Sequence, residues 1–198
     1  DAFKHFDGNP QGFRIMTRLQ WFDHEQGLNL TCSLLAAYCK YIGGKAVDRP
    51  FRRKLGFFPS EHDAVASVWK ELDLRREGDG APAQRHPLTF IMEAADDIAY
   101  CISDIEDALE KKVVTEDQFA SFAERRGGRM RDLIERARKS AKEREAWLTA
   151  NGVYHYFRVN LSSNLVDDAV KAYLEAEDAI LAGEYTDSLL GHKDRRIP

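Results

Sequence analysis

The chain has 198 residues, 43% hydrophobic and 31% charged, with a net charge of −4. This is the balance of an ordinary globular chain, and its length suits one domain over residues 1–198. No apolar run approaches the roughly 20 residues of a membrane span, and the net acidity disfavours a general nucleic-acid coat. Cys32, Cys39 and Cys101 are odd in number and form no CxxC. They argue against a disulfide framework and a thiolate zinc site, and for a reducing, cytoplasmic setting.

In chain order, Pro10 opens a helix over 10–22, with Phe13, Met16 and Leu19 at three-residue steps. The apolar run 27–42 predicts a helix ending at Gly43-Gly44. Residues 43–59 read as loop. From Lys40 to Lys54 this region carries Lys40, Lys45, Arg49, Arg52, Arg53 and Lys54 against Asp48 alone, a charge of +5 in fifteen residues. Ser60 and Asp63 have the spacing of a capping box for the next helix. A loop over 77–87 precedes a helix over 88–111. Thr115 starts another, to about Arg125. Gly127-Gly128 breaks it, a helix follows over 129–150, and a long periodic helix covers 152–182. With no alternating strands, the fold is expected to be all-α, a helical bundle.

The stretch "EAADDIAYCISDIEDA" (93–108) holds six carboxylates in sixteen residues. At about 100° per residue, Asp96, Tyr100 and Asp104 form an i, i+4, i+8 row. Glu93, Asp97 and Asp107 fall on the same side, and Ile98, Ile102, Ile105 and Leu109 on the opposite one. A solvated amphipathic face is one reading. The other is a face built for a cation, because no Lys or Arg lies between Glu93 and Asp107 to relieve the repulsion. Oxygen donors suit a hard divalent ion, and Tyr100 offers a flat ring for a sugar or base. The histidines (His5, His24, His62, His86, His155 and His192) are expected as surface or cap residues, none forming a His–Asp pair or an HExxH.

"RHPLTFIMEAADDIAYCISDIEDALE" (85–110) resembles the signature of the bacterial deoxyguanosine triphosphate triphosphohydrolases, members of the HD-domain phosphohydrolases. "FDGNPQGFRIMTRL" (6–19), "GLNLTCSLLAAYCKY" (27–41) and "KLGFFPSE" (54–61) resemble other segments of that family, in the expected order. Asp7 and Pro10 depart from its Glu and Ala. The resemblance implies an all-α HD-type bundle that hydrolyses dGTP, or other dNTPs, to deoxynucleoside and tripolyphosphate. It implies a divalent metal (Mg, Mn or a transition metal) with Asp96 as a ligand. Tyr100 would lie against the deoxyribose and exclude a 2′-hydroxyl, and Asp104 would bond the 3′-hydroxyl. Lys40, Tyr41 and Lys54 would touch the triphosphate. Asn9 and Gln11 would line the nucleotide pocket or fix a loop beside it.

The family's first His, its His-Asp pair and a Gly-His-x-Gly-Glu segment would precede Asp1. The chain therefore reads as a fragment with one metal ligand and no turnover alone. The resemblance further implies homo-oligomers, often hexamers, and single-stranded DNA as an effector. The alternative is a nucleotide-binding regulatory or assembly module without turnover. The nucleotide reading requires the 96–100–104 row to face a cleft rather than bulk solvent.

Overall fold

A computed structural model of the chain describes residues 7–20, 27–43, 54–78, 80–145 and 151–191. Among these residues there are seven α-helices: α1 (Gly8–Arg14), α2 (Cys32–Tyr38), α3 (His62–Glu71), α4 (Pro87–Glu110), α5 (Glu116–Arg126), α6 (Gly128–Glu143) and α7 (Gly152–Leu181). A π-helical stretch, Ile15–Leu19, continues α1, and a 3-10 turn, Pro59–Glu61, leads into α3. Two isolated β-bridges, Gly43 with Leu55 and Arg76 with Pro82, are the β-structure of the described residues. The architecture is all-α, consistent with an HD-type helical fold.

Local chemistry sets most helix ends. The Asp7 carboxylate caps α1, accepting from the Asn9 backbone N–H at 3.0 Å and the Asn9 side-chain amide at 2.8 Å. Thr115 and Gln118 form a reciprocal capping box at the start of α5. Gly127 and Gly128, with φ of 74° and 51°, separate α5 from α6, a conformation that a side chain disfavours.

Two expectations are corrected. The apolar run 27–42 forms a much shorter helix, because Gly27 and Asn29 adopt left-handed φ of 62° and 49°, which a right-handed helix cannot contain. Thr31 caps α2 instead, and Gly43 pairs with Leu55 rather than ending the helix. Nor do Ser60 and Asp63 form a capping box; Glu61 is the N-cap of α3 and makes no side-chain cap bond. The Ser60 hydroxyl is engaged elsewhere, accepting from Arg14 at 2.7 Å and donating to Glu61 at 3.0 Å.

The packing divides into two compact units. The first takes the described residues of 1–93 and 173–189. Its core gathers Phe13, Ala36, Cys39, Ile42, Phe57, Val65, Val68 and Trp69. Each large side chain here contributes about 1.5–3 kcal/mol by leaving water. The Trp69 indole N–H donates to the Gln84 carbonyl at 2.9 Å, so the buried ring carries no unmet donor. Cys32, Cys39 and Cys101 are all free thiols, and burial pushes the Cys39 thiol up to about 12, which leaves it inert.

The second unit takes the described residues of 94–172 and 190–198. Phe119 of α5 stands edge-on to Tyr154 and Phe157 of α7, at 5.6 and 4.9 Å between ring centres. Leu133, Ile134 and Ala137 of α6 and Leu161 and Leu165 of α7 are buried. On α7 of this unit, Val159, Val166 and Val170 are exposed. The division between units falls inside α4 and inside α7. No described helix is long and apolar enough to cross a membrane.

Candidate functional site

Helix α4 carries the acidic row, and its beginning is held in three ways. The Leu88 backbone N–H, an orphan donor of the first turn, is accepted by His86 Nδ1 at 3.2 Å. Thr89 donates its hydroxyl to the Ala36 carbonyl at 3.2 Å, tying α4 to α2. Arg85, 3% exposed, lays its guanidinium 3.9 Å over the Phe90 ring. Along the helix, Ile98 and Leu109 are buried and Ile102 and Ile105 half-buried, so the expected apolar stripe is present.

Glu93, Glu106 and Asp107 of the acidic stretch meet protein cations. Glu93 accepts from Arg85 at 2.8 Å, Glu106 from Arg158 at 2.6 Å and Asp107 from Lys111 at 2.6 Å. The last is an exposed i, i+4 pair of little energetic weight. Glu93 shares the helix face of the row, yet it is only 6% exposed. It serves as a buried counter-ion and not as part of an open acidic surface.

In the row itself, Asp96 is half-buried, Tyr100 is 64% exposed and Asp104 is exposed. Within the described residues the outer end of the row, Tyr100 and Asp104, is therefore exposed. Among the described residues no group of three or more His, Cys, Asp or Glu side chains could hold a metal ion. Asp96 by itself does not complete a site for a divalent metal.

The phosphate candidates lie in the first unit. Lys40 follows α2 with its side chain 14% exposed and its Nζ 4.0 Å from Glu93 Oε1. Two cations, Lys40 and Arg85, thus flank one buried carboxylate. Burial draws the Arg85 pKa down, and the Glu93 charge beside it opposes that shift. Lys54 places its ammonium 5.5 Å over the Tyr41 ring, so the structure brings Tyr41 and Lys54 together. Lys45, Arg49, Arg52 and Arg53 of the basic cluster lie outside the described residues. Asn9 spends its amide on Asp7, which supports the loop-fixing alternative for this residue. Gln11 is half-buried on α1.

The histidine expectation needs one correction. His62 and Asp63 do form a His–Asp dipeptide, with Nδ1 and Oδ1 3.3 Å apart. Asp63 is exposed, and among the described residues no group of three such side chains forms around the pair. His86 is a cap, as expected, and His155 is exposed. His5, His24 and His192 lie outside the described residues.

Sequence reasoning missed Arg85 and Gly56. A Cβ on Gly56 would stand 1.5 Å from the Tyr41 carbonyl oxygen. Only glycine lets the Lys54–Gly56 backbone approach that of Tyr41–Gly43, where Gly56 N–H donates to Gly43 at 3.1 Å. The signal for Arg85 was its place in the quoted signature, eight residues before Glu93.

No protein-family model matches the chain. Among curated proteins, the deoxyguanosinetriphosphate triphosphohydrolase of Klebsiella pneumoniae (strain ATCC 700721 / MGH 78578) is 32% identical over 93% of this chain. The protein of the same name from Salmonella typhimurium is 32% identical over 94% of it. Over the matched residues the chain is similar to the deoxyguanosinetriphosphate triphosphohydrolases. It spans about 37% of the length of these triphosphohydrolases. The segments that carry the family resemblance contain α1, α2, the 3-10 turn Pro59–Glu61 and α4.

Proposed function

We propose that this chain is part of a metal-dependent enzyme that hydrolyses dGTP, and other dNTPs, to deoxynucleoside and tripolyphosphate. The observation that carries the reading is the 32% identity, over 93% of the chain, to a protein named for that activity. The α4 row supports it, since Asp96, Tyr100 and Asp104 stand one turn apart in the order ion, sugar ring and sugar hydroxyl.

In this reading Asp96 is one ligand of the divalent metal. The other ligands come from residues beyond those described, because the described ones make no metal site. When bound, that metal supplies an activated water and a polarised phosphate oxygen. Tyr100 packs against the deoxyribose and leaves no room for a 2′-hydroxyl, while Asp104 accepts from the 3′-hydroxyl. Lys40, Tyr41 and Lys54 receive the triphosphate through charge-assisted bonds, and Gln11 lies beside the nucleotide. Homo-oligomerisation, with single-stranded DNA as effector, belongs to the same proposal.

The experiment is a tripolyphosphate-release assay with dGTP and a divalent metal, on the full-length protein and on the 198-residue chain. Metal-dependent release of tripolyphosphate by the full-length protein is expected, with none from the chain alone. Release of pyrophosphate or single phosphate would reject the reaction class. A second reading, nucleotide binding without turnover, is favoured for the chain itself because no metal-holding group occurs among its described residues. Calorimetry with dGTP beside the release assay separates the two.

A further inference from the structure

The second unit contains a two-point clamp on the back of α4. The Tyr154 hydroxyl donates to the Ile102 carbonyl at 2.7 Å. One turn further along each helix, Arg158 Nη1 donates to Glu106 Oε1 at 2.6 Å. Residues 154 and 158 of α7 are i, i+4 neighbours, and so are 102 and 106 of α4. Two matched contacts one turn apart hold a helix against both sliding and rotation; a single contact would leave rotation free.

The position of the clamp is itself fixed. Tyr154 has a first-turn backbone N–H that lacks a partner within α7, and Glu116 of α5 accepts it at 2.6 Å. The Tyr154 ring is buried beside Phe119 and Phe157. Burial, with Glu106 nearby, pushes the Tyr154 hydroxyl up to about 12, so it remains a donor at any physiological pH. The Ile102 carbonyl belongs to the α4 backbone, so the Tyr154 hydroxyl grips the helix itself rather than a side chain.

On the helical wheel Ile102 and Glu106 lie about 200° around from Tyr100 and Asp104. The clamp thus grips α4 directly behind the half of the row that is most exposed. We infer that Tyr154 and Arg158 are positioning residues that set the angle at which Tyr100 and Asp104 meet the sugar, and so set deoxyribose selectivity. This rests on the sugar-site reading of α4 given above.

The test measures the ratio of dGTP to GTP affinity in the full-length protein for wild type, Tyr100→Ala, Tyr154→Phe and Arg158→Met. Tyr154→Phe removes one hydroxyl and keeps the ring. Arg158→Met breaks a pair whose side chains are 34% and 40% exposed, so it leaves folding intact. Each clamp variant is expected to lower the ratio roughly three- to tenfold, the range of one lost hydrogen bond. A purely structural contact would lower the melting temperature and leave the ratio alone. A fall in either variant supports the clamp. Wild-type ratios in both, with a lowered ratio in Tyr100→Ala, overturn it. An unchanged ratio in Tyr100→Ala instead removes the sugar-site reading, and the clamp's role with it.

Discussion

Arg85 and Glu93 meet at 2.8 Å with side chains only 1% and 8% exposed, and Lys40 stands 4.0 Å from the same carboxylate. A carboxylate at that depth is tolerated because Arg85 donates to it directly. Arg85 also donates to the Asp187 carbonyl at 3.3 Å and covers the Phe90 ring. It links the loop before α4, the first turns of α4 and the segment after α7.

Breaking this pair one-sidedly is therefore costly. Glu93→Gln or Arg85→Met is expected to lower stability by about 3–5 kcal/mol, since either leaves a buried charge without its partner. Urea unfolding of each variant measures it. A loss below about 1 kcal/mol, the size typical of a surface pair, would mean that water reaches the site.

Asp96→Ala tests the metal assignment. In the full-length protein it is expected to abolish turnover and the rise in melting temperature produced by Mn²⁺ or Mg²⁺, because an ion that binds only the folded state stabilises it by mass action. Wild-type turnover in this variant would remove Asp96 from the ligand set.

Lys40→Ala separates phosphate binding from packing. Losing a charge-assisted contact costs about 1.5–3 kcal/mol, so dGTP affinity is expected to fall at least tenfold. Deoxyguanosine, which has no phosphate, is expected to bind nearly as before. Equal losses for both ligands, measured by calorimetry, would assign Lys40 to supporting Glu93 alone.

His86 makes stability depend on pH. Burial holds its pKa below the ordinary 6.5, and its Nδ1 must be unprotonated to accept from Leu88. The unfolded chain then binds this proton at a higher pH than the folded one. The contribution is whole above pH 6.5 and is lost as pH falls from there through the folded value. Melting curves between pH 8 and 5 should fall more steeply for wild type than for His86→Asn, which keeps an acceptor without the titration. Parallel curves would show that the cap does not titrate.

What could be read without coordinates was local. The Thr115–Gln118 box, the Gly127–Gly128 break, the extents of α4 and α7 and the 96–100–104 row all follow from spacings within a few turns, where helical period and cap chemistry act. The run 27–42 misled because apolar content alone does not reveal left-handed backbone at Gly27 and Asn29. Ser60 misled because Arg14, distant in sequence, claims its hydroxyl. Only the tertiary structure decided that Glu93 is a buried counter-ion while Tyr100, on the same helix face, stays open. It alone placed Lys40 beside Glu93 and Tyr154 behind Ile102. Those outcomes depend on which helices cover which part of α4, and burial and long-range hydrogen bonds are set by packing partners that a local periodicity does not encode.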